Sequence, residues 1–247
     1  MTTPFPLSED LRRLSAPARA DGTPFVVGVS GSVAVGKSTF AAGLAEAAAQ
    51  WPEQPRALNI ATDGFLFPNA VLAERNIAMR KGFPESYDVA AMRDAIAAVK
   101  AGALVPLPRY SHVTYDVDPA NALAVERPAI LILDGLHLAQ IERPGAPRLI
   151  DLLIYLDADE TVIEGWFAAR LLPLMRAGRD DPSSFYYRFR DWDDAQRADF
   201  AKRVWDGINL PNLREHIVKD RDAADVVVTK RHDHSVAAVL LRPRSVI

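Results

Sequence analysis

The segment that most constrains this chain is the run Gly-Ser-Val-Ala-Val-Gly-Lys-Ser-Thr at residues 31–39. An apolar stretch at residues 25–29 precedes it and an alanine-rich stretch at residues 37–50 follows it, so the pattern predicts strand, tight turn, helix. Glycines at positions 31 and 36 let the backbone approach a ligand closely because they carry no Cβ. The run fits G-x-x-x-x-G-K-[ST], which predicts backbone N–H groups that bind phosphate at a helix N-terminus.

A loop of this kind predicts a site for a nucleoside triphosphate with Mg²⁺. The backbone amides surround the phosphates, Lys37 reaches the β- and γ-phosphates, and the hydroxyl of Ser38 ligates the metal. The residues predicted to line the nucleotide phosphates are Gly31, Ser32, Val33, Ala34, Val35, Gly36, Lys37, Ser38 and Thr39.

The rest of the chain alternates between short apolar runs and amphipathic runs, which predicts an α/β fold. We expect a three-layer P-loop NTPase/kinase fold, with a mostly parallel central sheet flanked by helices.

Strands are predicted at 25–29, 56–61, 129–133, 149–156 and 226–228, the last being a central strand. Helices are predicted at 8–14, 37–50, 70–75, 88–100, 159–175, 192–208 and 212–218, and Asp88 is the expected N-cap of the fourth. Residues 105–121, rich in proline and aromatic residues, are predicted to be irregular. Residues 1–24 form a short N-terminal extension and 25–247 a single domain.

Composition excludes several functional classes. With 247 residues, 49% of them apolar, the chain can bury one full core. The net charge of −3 predicts no nucleic-acid partner. No cysteine is present, so disulfides and thiolate metal sites are excluded. No apolar run approaches the roughly 18 residues of a membrane helix, and the first residues lack the pattern of a signal peptide, so we expect a soluble, cytoplasmic protein.

Carboxylates at predicted strand ends are the candidates for chemistry. Asp134 ends an apolar strand, the usual position of the acid that holds the Mg²⁺ shell in phosphate-loop enzymes. Asp63 ends the second strand at the same edge of the sheet, where it can accept a proton from an attacking hydroxyl group. Both precede glycine, so ordinary Asp-Gly turns are the alternative interpretation. Asp157 ends another strand, but the run Asp157-Ala-Asp-Glu fits a helix-start cap better than a catalytic group.

Arginines are concentrated around residues 178–182, at positions 170, 176, 179, 188 and 190. Phosphoryl transfer uses guanidinium groups to neutralise the migrating phosphate, often from a mobile segment that closes over the site. We expect one or two of these arginines to be functional and the rest to be solvated or paired with nearby aspartates. Among the histidines, His112 is the candidate for ligand binding. His232 and His234 have no further ligand nearby, so they do not predict a zinc site.

Taken together, these motifs resemble the type I (prokaryotic) pantothenate kinases. The resemblance rests on residues 31–39, Trp51-Pro-Glu, residues 62–69, residues 80–88, Tyr110-Ser-His and residues 130–136. It continues through the predicted helix at 166–170, Ile208-Asn209, and Thr229-Lys230 with His234. It therefore covers nearly the whole chain from residue 25 onward, in order and with few changes in length.

The resemblance implies an ATP-dependent kinase that phosphorylates the terminal hydroxyl of pantothenate, the first committed step towards coenzyme A. By matching position, Asp63 is the base, and Tyr110, His112, Arg170 and Asn209 contact the substrate. Lys37 and Arg170 assist the transfer, while Lys230 and His234 flank the adenine. The resemblance also implies a homodimer and inhibition by coenzyme A.

Several positions depart from the family pattern, and they keep other functions open. The N-terminal region is shorter than usual, Phe167 replaces a tyrosine, Ala42 an arginine and Leu174 a phenylalanine, and the usual Glu-Gly-Leu-Asn is Asp134-Gly-Leu-His137. A related kinase acting on a sugar or nucleoside is one alternative, and a nucleotide-binding relative without phosphotransfer is another. A GTPase switch is disfavoured because neither N-K-x-D nor D-x-x-G occurs in the sequence.

Overall fold

A computed structural model describes residues 5–242 of the chain. Its main sheet has six strands in the order β2-β5-β1-β6-β7-β8. The strands are β1 (Phe25–Gly31), β2 (Ala57–Ala61), β5 (Ile130–Asp134), β6 (Leu152–Asp157), β7 (Val226–Lys230) and β8 (Val236–Leu241). The first five in this order pair in parallel and β8 pairs antiparallel at one edge. The prediction of a mostly parallel sheet is confirmed.

One helix precedes β1, the others lie between strands along the chain, and together they cover the sheet. They are α1 (Ser8–Ala20), α2 (Lys37–Ala49), α3 (Asn69–Glu74), α4 (Val89–Lys100), α5 (Glu160–Ala177), α6 (Asp194–Val204), α7 (Leu210–Asn212) and α8 (Val218–Ala223). Short 3₁₀ turns follow β2 at Thr62–Phe65 and β5 at Leu138–Ile141. The predicted N-cap of α4 is confirmed, since the Asp88 side chain accepts a hydrogen bond from the backbone N–H of Ala91.

Burial explains why the apolar runs form the centre of the sheet. Every residue of β1 and of β5 is buried. Along β1, Val26 packs in one core and Val27 and Val29 in the other, as the alternation of a strand requires. Helix α2 covers the second face with Phe40, and α4 and α5 cover the first. The molecule therefore has the three-layer arrangement expected from the sequence.

Residues 105–121 are not irregular, and that prediction is wrong. The strands β3 (Leu104–Ser111) and β4 (Asp116–Glu126) form a separate antiparallel hairpin. Its prolines are tolerated because both strands of a two-stranded sheet are edges, where a missing N–H can face outward. A register shift between Leu107 and Arg109 marks the proline-containing part of β3.

Other predicted boundaries were also inexact. The strand predicted at 226–228 extends to Lys230; within residues 5–242 it is the last central strand, as predicted, and β8 follows it at the edge of the sheet. Helix α1 continues past residue 14 to Ala20, and its Leu11 is fully buried. The two predicted helices at 192–208 and 212–218 form one continuous helical run, Asp194 to Ala223, in which π-helical turns at Trp205–Asn209 and Leu213–Ile217 interrupt the α-helix.

The domain boundary at residue 24 stays a prediction. Helix α1 belongs to the predicted N-terminal extension, yet it packs on the main domain, where the hydroxyl of Ser8 accepts a hydrogen bond from the indole N–H of Trp51 at 3.0 Å. Residues 1–4 of the extension and 243–247 of the domain lie outside the described residues. Within residues 5–242, no helix is both long enough and apolar enough to cross a membrane.

Candidate active site

The candidate site lies at the carboxyl ends of β1, β2 and β5, which are neighbours in the sheet. In the parallel register Asp134 aligns with Val29 on one side and with Ala61 on the other. The chain continues from β1 into the phosphate loop and from β2 into the 3₁₀ turn that contains Asp63. The fold therefore brings the predicted loop, metal ligand and base to one edge, where α/β sheets bind ligands.

The phosphate loop has the backbone that its glycines predict. Gly31 and Gly36 have φ values of 140° and 92°, in the region that favours glycine. A Cβ on Gly31 would lie 2.5 Å from the carbonyl oxygen of Leu156, and one on Gly36 would lie 2.8 Å from the Lys230 Nζ. No larger residue fits either position without displacing its neighbours, and α2 begins directly afterwards at Lys37.

Lys37 lies within the loop and donates hydrogen bonds to the carbonyl oxygens of Gly31 and Ser32, at 3.1 and 2.8 Å. Burial lowers the pKa of Lys37 to about 8, although the charges of Asp63 and Asp134 oppose that shift. A triphosphate beside the ammonium group would raise this pKa again, since a nearby negative charge favours the charged form.

Ser38 and Asp134 form the pair predicted to hold Mg²⁺. The Ser38 hydroxyl donates to Asp134 Oδ1 at 2.8 Å, and Asp134 is 5% exposed. Burial raises the pKa of Asp134, while the hydrogen bond from Ser38 and the charge of Lys37 counteract the shift. One hydroxyl and one carboxylate suit Mg²⁺, which keeps several waters and takes further oxygens from substrate phosphates. The donor set therefore fits this metal.

Asp63 lies in the 3₁₀ turn after β2, and Oδ1 accepts a hydrogen bond from the phenol of Tyr87 at 3.0 Å. Tyr87 is buried, and burial together with the charge of Asp63 raises its pKa well above the usual value. Tyr87 therefore stays protonated as a hydrogen-bond donor to the carboxylate.

The hairpin β3–β4 brings aromatic side chains next to Asp63. The rings of Tyr110 and His112 meet edge to face with centroids 5.2 Å apart, and Tyr110 contacts Tyr115 at 5.9 Å. Lys81 Nζ lies 4.9 and 4.6 Å from the ring centroids of Tyr110 and Tyr115, within cation–π range. Burial lowers the pKa of Lys81 to about 8, and the charges of Asp116 and Asp63 oppose the shift. This cluster can recognise a small molecule that carries both apolar and anionic groups.

Arg170 and Asn209 complete the predicted acceptor side. Arg170 lies on the exposed face of α5, and its charge acts on Lys37, His112 and Tyr115, so it lies between the phosphate loop and the hairpin. Asn209 lies in the first π-helical turn, and within residues 5–242 its buried amide nitrogen has no hydrogen-bond partner. A buried donor of this kind is costly unless an acceptor reaches it, and π turns often occur at functional sites.

Lys230 and His234 lie on the other side of the phosphate loop. Lys230 Nζ donates to the carbonyl oxygen of Val35 at 2.8 Å. The His234 imidazole stacks on the indole of Trp166, with centroids 4.1 Å apart and planes at 20°. Lys230 Nζ is 5.3 Å from the same indole. The three side chains form a continuous surface beside the loop, which suits the base of a nucleotide.

Other predictions for charged residues have mixed outcomes. Arg176 pairs with Asp194 and Arg190 with Asp191, as expected of arginines that pair with aspartates. The run at residues 157–160 does cap a helix, through Asp159, whose side chain accepts a hydrogen bond from the backbone N–H of Thr161 at the start of α5. Asp157 instead accepts a hydrogen bond from Arg221.

The positions that depart from the family pattern lie in different surroundings. Phe167 is buried and packs against Trp205, with ring centroids 6.1 Å apart, whereas Leu174 is 38% exposed. Ala42 is half-buried on α2. His137 is buried, has φ 57° and holds its Nε2 2.8 Å from the carbonyl oxygen of Gly82. Burial lowers the pKa of His137 to about 4, so the ring is neutral near pH 7 and donates through Nε2.

Sequence reasoning missed several residues of this site. Lys81 and Tyr87 lie in the motif at residues 80–88, and Trp166 begins the helix at 166–170, but no spacing rule gave them or Tyr115 a place in the site. The fold, not a local pattern, brings these side chains together.

Comparison with known proteins identifies the family. The model described as "Phosphoribulokinase / Uridine kinase family" matches residues 26–170, more than half of the chain. A pantothenate kinase of Agrobacterium fabrum is 43% identical over 229 residues, which cover 89% of this chain and 71% of that protein. A pantothenate kinase of Brucella ovis is 42% identical with the same coverage.

A solved structure supports the fold alone. The phosphoribulokinase of Rhodobacter spheroides aligns with a TM-score of 0.51 at 13% identity, covering 84% of this chain and 70% of that one. The resemblance drawn from the motifs is confirmed by the closer relatives. The chain therefore belongs to the phosphoribulokinase/uridine kinase family of P-loop kinases, and within it to the group that includes these pantothenate kinases.

Proposed function

We propose that this kinase transfers the γ-phosphate of ATP to the terminal hydroxyl of pantothenate. The observation that carries the proposal is the position of Asp63, between the phosphate loop and the aromatic hairpin, in a chain 43% identical to a pantothenate kinase. Pantothenate carries a carboxylate, an amide and two hydroxyls, so its recognition needs cationic, amide and aromatic groups together. Lys81, Asn209 and the hairpin rings supply such groups.

In the proposed reaction Asp63 accepts the proton of the attacking hydroxyl, with the hydrogen bond from Tyr87 fixing one of its oxygens. Lys37 and Arg170 place positive charge beside the migrating phosphoryl group. Ser38 and Asp134 would hold Mg²⁺, which neutralises phosphate charge when bound. Most of the rate acceleration then comes from positioning and electrostatics, as in other phosphoryl transfers.

At the nucleotide, residues 31–39 would surround the phosphates, while Lys230 and His234 would flank the adenine. His112 and Tyr110 would contact the acceptor at the end of β3. A homodimer and inhibition by coenzyme A also belong to the proposal and rest on the resemblance to the family. A cytoplasmic location belongs to it as well and rests on the sequence composition.

A sugar or nucleoside acceptor is the second candidate, because Phe167 departs from the family pattern. The resemblance implies a tyrosine at this position whose hydroxyl reaches the substrate, whereas Phe167 has no hydroxyl and is buried against Trp205. The loss of one hydrogen bond in a polar site changes binding by about 1–3 kcal/mol. A change of this size is enough to shift preference between acceptors.

An acceptor screen tests both candidates. ADP release is measured with Mg²⁺·ATP and pantothenate, against a panel of sugars and nucleosides at equal concentration. The proposal expects kcat/KM to be highest for pantothenate. A sugar or nucleoside with the higher value would replace pantothenate as the substrate, and absence of turnover with the whole panel would contradict the acceptor assignment.

A further inference from the structure

The mechanism leaves one buried carboxylate without a role, that of Asp220 on α8. Its residue is 2% exposed, and among residues 5–242 no cationic side chain forms an ion pair with it. Placing a carboxylate away from water is costly unless hydrogen bonds compensate. A position that served packing alone would be filled more favourably by an apolar side chain.

Three donors satisfy this carboxylate, one from β1 and two from the 3₁₀ turn after β5. The Ser30 hydroxyl donates to Oδ2. The backbone N–H of Leu138 also donates to Oδ2, at 2.7 Å, and the backbone N–H of Ala139 donates to Oδ1 at 3.1 Å. Asp220 therefore connects β1 to the 3₁₀ turn that follows β5.

The two segments that Asp220 connects lie close in sequence to the two residues of the candidate Mg²⁺ site, Ser38 and Asp134. Ser30 immediately precedes Gly31 and the phosphate loop, which contains Ser38. Leu138 and Ala139 follow Asp134 by a few residues. The register between β1 and β5 ends at Val29 and Asp134, so Asp220 connects these segments beyond the last paired residues.

We propose that Asp220 is a positioning residue for phosphoryl transfer, which acts through Ser30 and the Leu138–Ala139 backbone to fix the phosphate loop relative to Asp134. The Ser38 hydroxyl and the Asp134 carboxylate must face the same cation, and they lie 2.8 Å apart in this arrangement. Loss of the Asp220 carboxylate would remove this connection and leave the two segments joined only by the pairing of β1 with β5 and by the hydrogen bond from the Gly135 N–H to the carbonyl oxygen of Val29. Rigid support of this kind is what metal-binding groups need from the residues behind them.

The test compares Asp220→Asn with Asp225→Asn. Asp225 is a matched control because its carboxylate is also mostly buried, accepts from the backbone N–H of Leu153 at 2.8 Å and pairs with Arg148, away from the phosphate loop. The readout is the affinity for a non-hydrolysable ATP analogue by calorimetry, with Mg²⁺ and with EDTA. In Asp220→Asn we expect the Mg²⁺-dependent gain in affinity to fall at least fivefold, and in Asp225→Asn to stay within twofold of wild type.

Thermal denaturation of both variants separates positioning from general stability. An unchanged Mg²⁺-dependent gain in folded Asp220→Asn, or an equal loss in both variants, would overturn the proposal. If Asp220→Asn does not fold, the test uses Ser30→Ala, which removes one donor and leaves the carboxylate with two. We expect the Mg²⁺-dependent gain in affinity to fall at least twofold in Ser30→Ala. An unchanged gain in this variant would overturn the proposal.

The inference rests on the proposed Mg²⁺ site but not on the identity of the acceptor. The binding measurement needs no acceptor, so a negative pantothenate assay leaves it intact. A wild-type protein that binds the analogue equally with Mg²⁺ and with EDTA would overturn the metal site and, with it, this role of Asp220.

Discussion

Among single residues, Asp63 interacts with charged groups on both the nucleotide side and the acceptor side of the site. Its charge acts on Lys37 in the phosphate loop and on Lys81 beside the hairpin, and its Oδ1 is bound by Tyr87. This position explains why one residue can serve both the nucleotide side and the acceptor side of the site.

The first prediction concerns Asp63→Asn. An amide cannot take the proton of the attacking hydroxyl, so we expect kcat to fall by about 10²–10⁴-fold. Nucleotide affinity should stay within about threefold, because the phosphate loop is unchanged. Coupled ADP release and calorimetry measure the two quantities.

Asp157→Asn is the control for that variant. Asp157 also ends a strand of the sheet, yet it contacts Arg221 and lies outside the proposed machinery. We expect wild-type turnover for Asp157→Asn. Turnover of Asp63→Asn equal to that of the control would remove Asp63 from the role of base.

Lys81 gives a second prediction, in the pH dependence of acceptor binding. Burial lowers the pKa of Lys81 to about 8, so its ammonium is charged below that pH and loses the charge above it. With Mg²⁺·ATP saturating, KM for a carboxylate-bearing acceptor should rise as the pH increases through 8. Steady-state kinetics between pH 6.5 and about 9.5 measure the effect.

The matched variant for this prediction is Lys81→Met, which keeps much of the side-chain volume without the charge. Its KM should be high at every pH and should not change near pH 8. If KM still rises near pH 8 in Lys81→Met, a group other than Lys81 causes the pH dependence.

At the scale of secondary-structure elements, the hairpin β3–β4 is in close contact with the 3₁₀ turn that contains Asp63. A Cβ on Gly64, directly after Asp63, would lie 2.1 Å from the carbonyl oxygen of Pro108 on β3. The backbone of the turn therefore touches the backbone of the hairpin that carries Tyr110 and His112. This contact sets the distance between the base and the acceptor-binding rings.

The third prediction is that Gly64→Ala separates these elements. We expect unfolding to become easier by about 1–3 kcal/mol, as in other overpacked positions, and kcat/KM for the acceptor to fall at least tenfold. Denaturant titration and steady-state kinetics provide the two measurements.

Gly165→Ala on α5 is the matched control, because nothing lies within 4 Å of its added Cβ. It should raise stability by about 0.5–1 kcal/mol, since alanine favours a helix more than glycine does. Equal kinetics for Gly64→Ala and wild type would mean that the hairpin position does not depend on this contact.

The secondary-structure elements differ in how well the sequence alone predicts them. The central strands, the phosphate loop and Asp63 are predictable because each has a strong local pattern. The hairpin is not, since Pro106 and Pro108 indicate irregular structure unless the strands are known to be edges. The π turns are not predictable either, because Asn209 carries no local signal for them. Tyr87 and Trp166 join the site through tertiary packing alone.

For the whole molecule, ligand binding and folding stability are linked. A ligand that binds the folded state alone stabilises it by about 2.7 kcal/mol at 100 times its Kd. For a chain of this size 1 kcal/mol shifts Tm by about 2–4 °C. Our fourth prediction is therefore a rise in Tm of about 5–10 °C with saturating Mg²⁺·ATP.

Replacing Mg²⁺ by EDTA at the same ATP concentration tests the metal dependence of that shift. The rise in Tm should become markedly smaller, because Ser38 and Asp134 then have no cation to share with the phosphates. An equal shift with and without the metal, measured by differential scanning fluorimetry, would contradict the proposed metal site.

The contact between Lys230 and Val35 joins residues 195 positions apart in the chain. During synthesis Lys230 and His234 leave the ribosome long after the phosphate loop, because 195 positions separate Val35 from Lys230. A nascent chain of intermediate length therefore carries a phosphate loop without the surface that would hold the purine. We expect nucleotide to assist folding only after Lys230 and His234 have been synthesised and have reached the loop.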